Sequence, residues 1–187
     1  IATLAAKLAK ILRTSISSAQ FITLQEEMTL VESYAKIQKI RFNGKFDFRY
    51  EIAPETEEIL VPKLIVQPIV ENAIVHGISK KEGGGILYVR IWKKNQDLVL
   101  SVADTGLGIS EERLEEVRKA MAERRTAKIG IGLGNIYKRI HMIYQGGDLQ
   151  IYSCEGKGTI IQMILPQKDA GMKYRGEDQN VQTAGSR

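Results

Sequence analysis

The chain of 187 residues has one cysteine, Cys154, so it cannot form an internal disulfide. A scaffold stapled by sulfur is excluded, a reducing compartment is the simplest setting, and Cys154 reads as a small filler near a strand end. Aromatic residues make up only 6% of the chain. With no basic stripe interleaved with aromatics, this composition argues against a nucleic-acid reader. Long apolar runs are also missing, since none approaches the roughly 18 residues that a membrane-spanning helix needs. Nor does the amino end show the charged start, apolar stretch and small-residue cleavage site of a signal peptide. What is there is 43% hydrophobic residues, enough for one domain with a buried core. The formal charge of +5 comes from basic residues scattered among 22 acidic ones, which gives only weak, unspecific attraction to phosphate-rich partners.

Hydrophobic spacing divides the chain into elements. Ile1, Leu4, Leu8, Ile11 and Leu12 recur every three or four residues, with Lys7, Lys10 and Arg13 on other faces, which predicts an amphipathic helix to about Ile16. A stripe this narrow wants a partner helix. Thr23-Leu24-Gln25-Glu26 has the spacing of a capping box, so a second helix is predicted to about Phe42, stopped by Asn43-Gly44. Phe46, Phe48, Tyr50 and Ile52 alternate with polar residues as in a half-buried strand. Pro62 suits the first turn of the next helix, whereas Pro68 requires either a kink or a regular helix that begins only near Pro68.

Ile86 to Trp92 and Leu98 to Ala103 read as strands joined by a polar turn at Asn95-Gln96-Asp97. Ser110 caps a charged helix that fades near Arg124, and a further helix is predicted from 134 to about 145, closed by Gly146-Gly147. Two last strands, 149–153 and 159–165, flank a glycine turn, and the segment 168–187 reads as a polar, poorly tethered tail. The hairpin-rich order has no strand-helix-strand rhythm. It predicts an α+β fold of two layers, with a mixed, mostly antiparallel sheet and helices on one face.

Three short motifs carry the chemistry. They are Val70-Glu71-Asn72-Ala73-Ile74-Val75-His76-Gly77 on a helix, Asp104-Thr105-Gly106-Leu107-Gly108 at a strand end, and Gly130-Ile131-Gly132-Leu133-Gly134-Asn135 opening a helix. Each alone usually means packing or a turn. In this order they describe a nucleotide site: a carboxamide for a metal, a carboxylate that accepts from an adenine amine, and helix amides that face phosphate. A neutral amide oxygen on Asn72 suits Mg²⁺ that a triphosphate has already largely neutralised. Guanine presents a carbonyl where adenine presents its amine, so Asp104 would select adenine by leaving acceptor against acceptor for the wrong base.

These motifs resemble the ATP-binding domain shared by DNA gyrase B subunits, heat-shock chaperone ATPases, histidine kinases and MutL proteins. Leu24-Gln25-Glu26-Glu27 through Tyr34, Ile37-Gln38-Lys39-Ile40-Arg41-Phe42, Gln67-Pro68-Ile69 ahead of the Asn72 motif, and Gly134-Asn135 with Arg139 narrow the likeness. Together they resemble sensor histidine kinases of the LytS-like type over about residues 4 to 166. The resemblance implies a Bergerat-type ATP-binding fold at 23–167, a remnant of a dimerisation hairpin at 1–22, and ATP with Mg²⁺ as ligands.

The resemblance also assigns roles. Asn72 is implied as the metal ligand and, with Glu71, as part of the catalytic apparatus, Glu71 orienting a water or an incoming imidazole. Pro68 stands where many relatives place Asn or Glu, so the identity of the base stays open. His76 would donate to a phosphate or simply end the helix. Gly106 and Gly108 would let the backbone pass close under the base, and Lys128 would compensate phosphate charge or simply belong to a solvated charge run. Gly130, Gly132, Leu133 and Gly134 would form the mobile amide-rich lid, and Thr159 would lie near the nucleotide or merely start a strand.

The acceptor segment Pro-His-Phe-Leu-Phe-Asn typical of the resembled family does not occur in these residues, and neither His76 nor His141 reads as a phosphoacceptor. The implied activity is transfer of the ATP γ-phosphoryl to a histidine upstream, then to the aspartate of a response regulator receiver domain. The implied setting is the cytoplasmic part of a bacterial membrane-bound sensor, homodimeric when intact, with no nucleic-acid or membrane contact from this segment. An ATPase or serine kinase of the same fold, or a nucleotide-responsive module without catalysis, are the other readings.

Overall fold

The computed structural model describes residues 20–125 and 129–167. The helix expected near the amino end, Lys128 and the tail 168–187 lie outside the described residues.

Strand β1 (Phe21–Thr23) leads straight into helix α1 (Leu24–Arg41). The helix starts there because Thr23 and Glu26 satisfy each other's amides: the Glu26 N–H donates to Thr23 Oγ1 at 3.2 Å and the Thr23 N–H to Glu26 Oε2 at 2.9 Å. It stops where Asn43 and Gly44 take positive φ of 50° and 74°. Strand β2 (Phe46–Ile52) follows, then β3 (Leu60–Pro62).

Pro62 does not open a helix. It pairs with Phe21 in the small antiparallel β1–β3 sheet, so Phe21 and Ile22, which a division at 22/23 places in the hairpin, are joined to the globular unit. Leu64 then adopts φ +59°, which no right-handed helix allows, and helix α2 (Gln67–Asn72) begins only at Gln67. Pro68 sits in its first turn, where the missing N–H costs no bond. Of the two options open at Pro68, the late start is the one adopted. The helix then widens into a π-helical turn, Ala73–Ile78, with the Ser79 N–H reaching back to Ile74 O at 2.9 Å.

Strands β4 (Gly85–Lys94) and β5 (Asp97–Asp104) form a hairpin, followed by α3 (Glu111–Ala122) and α4 (Ile131–Ile143). Strands β6 (Asp148–Cys154) and β7 (Gly158–Pro166) close the chain. Ser110 does hold the N-cap position of α3, but its side chain makes no capping bond. The fourth helix starts three residues before the expected 134, which puts Gly132 and Gly134 inside its first turn.

The main sheet runs β2-β4-β5-β7-β6, parallel only between β2 and β4. Successive rows across it, such as Val89–Val102–Ile161–Ile151 and Ile91–Leu100–Met163–Leu149, are buried under the helices. On the opposite face Ile86, Tyr152 and Ile160 are exposed. The architecture is thus a two-layer α+β sandwich with a mixed, mostly antiparallel sheet and helices on one face. One row departs from the apolar pattern: Leu87–Asp104–Thr159–Ser153 puts three polar side chains on the covered face at one end of the sheet. Burial of polar groups requires partners, and the site is built there.

Candidate functional site

A cleft of about 570 Å³ opens beside that polar row. Its walls come from α2 and the π turn (Ile69, Asn72, Ala73, His76, Gly77), the strand ends (Val102, Asp104, Ile151, Thr159, Ile161), α3 (Arg113, Val117) and the entry to α4 (Ile129, Gly130, Gly132, Leu133). Its size suits a nucleotide, and most of the lining is apolar with a few convergent polar groups, as small-molecule sites require.

Asp104 is half-buried at the end of β5. Its Oδ1 accepts from the Gly106 N–H at 2.7 Å, and the Thr159 N–H also donates to the carboxylate. Burial pushes the Asp104 carboxyl above its ordinary value, while those two amides and the Lys81 charge pull the other way. Thr159 Oγ1 lies 2.9 Å from Ser153 Oγ, which in turn accepts from the Ile109 N–H at 2.9 Å. The row therefore holds the loop after β5 against the β6–β7 hairpin. Lys81 ties the same parts from outside, donating to Thr105 O at 2.7 Å and Gly156 O at 3.1 Å.

Gly106 does not line the cleft. A Cβ there would stand 2.3 Å from the Gly77 carbonyl carbon, so this glycine lets the strand end pack against the π turn. Gly108 does line it and has φ +68°. Both glycines make close backbone approaches within the protein: Gly106 to Gly77, and Gly108 to the Cys154 carbonyl oxygen, 2.1 Å from a Cβ placed on it.

At the other side of the cleft stand Asn72 and His76, one turn apart on the same wall. The Asn72 carboxamide lies under the first turn of α4, with Nδ2 3.4 Å from where a Cβ on Gly132 would be. Gly130 takes φ +107° at the N-cap of α4, and the first intrahelical bond is Gly134 N–H to Gly130 O at 2.8 Å. The amides of Ile131, Gly132 and Leu133 thus precede the helical bonding pattern and add to the positive end of the helix dipole. Gly134 itself is buried and away from the cleft. Among the described residues no group of three or more His, Cys, Asp or Glu side chains is placed to hold a metal. A cation beside Asn72 would therefore draw its remaining ligands from phosphate and water, the usual habit of Mg²⁺.

Glu71 is exposed and outside the cleft lining, one residue and about 100° around the helix from Asn72. Tyr34 on α1 feels its charge: burial first, then the Glu71 carboxylate, push the Tyr34 hydroxyl up to about 12. Sequence reasoning missed Arg113, whose Nη1 also pairs with Glu116 Oε2 at 2.8 Å. The signal was present, because Arg113 lies one turn before Val117 on the apolar face of α3. It also missed Glu27, fully buried on α1, whose carboxylate takes backbone N–H donors from residues 64, 66 and 67. Burial pushes the Glu27 carboxyl up, against those amides.

Sheet, helical layer and cleft together define a nucleotide-binding domain of the ATPase class. More particularly, the chain belongs to the histidine kinase-, DNA gyrase B-, and HSP90-like ATPase family, whose pattern residues 58–169 match, and residues 1–46 match the histidine kinase family. It is 32% identical over 144 residues to the YwpD protein of Bacillus subtilis, covering 76% of this chain and 49% of that one. To the sensor protein LytS of Bacillus anthracis it is 32% identical over 79% of this chain and 25% of that protein. To the sensor protein kinase HptS of Staphylococcus aureus it is 30% identical over 88% of this chain and 32% of that protein. The chain thus spans half or less of the length of these relatives.

In fold it is similar to the histidine kinase domain of a blue-light activated kinase from Erythrobacter litoralis, with a TM-score of 0.58 at 17% identity over 89% of this chain and 74% of that one. The catalytic domain of histidine kinase ThkA aligns with a TM-score of 0.58 at 20% identity over 79% of this chain and 94% of that one. No helix among the described residues is long and apolar enough to cross a membrane.

Proposed function

We propose that this cleft binds Mg·ATP and that the chain is the catalytic domain of a two-component sensor histidine kinase. The observation that carries the reading is the placement of Asp104 on one wall and of Asn72 beneath the amino end of α4 on another, around one cleft. An adenine amine would donate to Asp104. The triphosphate would extend toward the amides of α4, with His76 on the wall that carries Asn72; the Asn72 carboxamide would hold Mg²⁺, which would supply charge neutralisation for the phosphates. Lys128 belongs to this proposal as a lid cation, and Thr159 as the group that braces Asp104.

Phosphoryl transfer in such a site rests on positioning and charge neutralisation, with attacking and leaving oxygen or nitrogen roughly in line. Glu71, which is exposed next to Asn72, would in this reading meet an imidazole arriving from outside the cleft. The acceptor histidine is assigned to a segment upstream of these residues, and the phosphoryl group then passes to the aspartate of a response regulator receiver domain. The intact protein is proposed to be a homodimeric, membrane-bound bacterial sensor with this domain in the cytoplasm, touching neither nucleic acid nor membrane.

The test mixes the chain with a separate hairpin peptide that carries the acceptor histidine, in γ-labelled ATP and Mg²⁺. Acid-labile label on the peptide is expected, and its loss in Asn72→Ala. Label on serine, or phosphate released to water with none on the peptide, would replace the kinase reading by one of the other activities of this fold.

A further inference from the structure

The turn at 63–67, just before the Asn72 helix, is gripped from two sides. From α1, the Glu27 carboxylate accepts the Leu64 N–H on Oε2 at 2.8 Å, and the Val66 and Gln67 N–H groups on Oε1 at 2.9 and 3.4 Å. Converging backbone amides around an anion form a nest, and here the anion is supplied by the protein itself. From α4, the Arg139 guanidinium donates to the Lys63 carbonyl. Between these two grips lies Leu64 with φ +59°, a left-handed conformation that an L-residue holds only when its surroundings enforce it.

A helix start needs its first amides satisfied, and a local Ser, Thr or Asp at the N-cap normally does this. The N-cap of α2 is Val66, which has no side chain able to do so. The task falls to Glu27, 37 to 40 residues earlier in the chain and with no exposed surface. Burying a carboxylate costs more than a local cap, so the arrangement stabilises a relationship between elements that a local cap would not fix. That relationship involves both halves of the phosphate end of the cleft: α2 carries Asn72, and α4 carries the amides at Ile131 to Leu133.

We propose that Glu27 and Arg139 are paired positioning residues, which hold the turn 63–67 between α1 and α4 and so set the Asn72 carboxamide under the amino end of α4. This rests on the reading of the cleft as a Mg·ATP site. Neither side chain is among the lining of the cleft, so both act through the backbone they hold. Asp104, on β5, lies outside the clamp. Recognition of the base and recognition of the metal-bound phosphates are therefore separable in these variants.

Glu27→Gln keeps size and shape but turns an amide N–H₂ toward one of the backbone N–H donors. In calorimetric titrations of the full chain, the affinity for Mg·ATP should fall on the order of tenfold, as when an outer-shell partner of a metal site is lost. Affinity for metal-free adenosine should change by less than about twofold, because adenosine depends on Asp104. Arg139→Met should give the same split and carries the test if Glu27→Gln does not fold. Rescue is expected in Arg139→Lys, which restores a donor for the Lys63 carbonyl. Equal losses for both ligands, or no loss for either, would overturn the positioning role. Failure of the parent chain to bind Mg·ATP would overturn the reading of the cleft, and the proposal with it.

Discussion

Gly77 and Gly106 meet backbone to backbone: a Cβ on Gly106 would stand 2.3 Å from the Gly77 carbonyl carbon and 2.7 Å from Asp104 Oδ1. The Leu107 N–H donates to Gly77 O at 3.3 Å across the same contact. The helix that carries Asn72 and the strand end that carries Asp104 are therefore joined where neither has a side chain. Gly106→Ala cannot be absorbed by a rotamer change, since the neighbour is main chain. Overpacking of this kind costs about 1–3 kcal/mol. Thermal unfolding should show that loss, with weaker adenosine binding because Asp104 is displaced, and an unchanged melting curve would place the contact elsewhere.

Asp104→Asn should weaken adenosine and ATP binding by about 1–3 kcal/mol, the cost of one buried acceptor lost, with the melting temperature little changed. Calorimetric affinity within twofold of the parent would remove Asp104 from base recognition.

The same residue sets a pH dependence with a definite sign. Burial raises the Asp104 carboxyl above the ordinary 3.8, and a ligand amine that donates to the ionised form lowers it again on binding. Adenosine affinity is therefore full above the raised value and falls as the pH drops through it. Lys81 is one of the groups that pull the value down, so Lys81→Met should move the acid limb to higher pH. Adenosine is the suitable probe because it carries no phosphate to titrate. An acid limb that persists unchanged in Asp104→Asn would trace the effect to another group.

Asn72→Ala separates the metal from the base. It should weaken Mg²⁺-dependent ATP binding by at least about tenfold while leaving adenosine nearly unaffected, as expected when a group at a metal site is lost. Equal losses for both ligands would mean that the carboxamide serves packing.

Local rules made much of this legible from the residues alone. Thr23 and Glu26 announce the start of α1 because a capping box is complete within four residues, and the alternation of Phe46, Phe48 and Ile52 with polar residues already marks the face of β2 that packs on the core. Asn72, Asp104 and Gly130 could be read as candidates because each sits at an element end, and the fold brings all three to one cleft. What escaped depends on distant partners. Strands of three residues, such as β1 and β3, show no periodicity, and pairing with Phe21 overrides the helix-starting preference of Pro62. Gly132 falls before the predicted helix start at 134, although a first helical turn tolerates glycine where the amides face outward. Glu27 looks like one more surface acid on a charged helix until the turn at 63–67 is folded over it.

The chain alone should bind ATP without becoming phosphorylated on histidine. Only His76 and His141 are present. His141 rests on α4 with Nδ1 2.9 Å from the Tyr137 carbonyl and its ring 4.2 Å from that of Tyr137, outside the cleft. His76 shares the wall of Asn72, on the side where metal and phosphate oxygens would be held, whereas the attacking nitrogen must approach about 3–3.5 Å from phosphorus and opposite the departing ADP. In the proposed binding mode neither ring would be aligned for that attack. Incubation with γ-labelled ATP and Mg²⁺ should leave the chain unlabelled, and an added acceptor hairpin should take the label. Acid-labile, base-stable phosphate mapped to His76 or His141 would contradict the division of labour proposed between this domain and a separate acceptor.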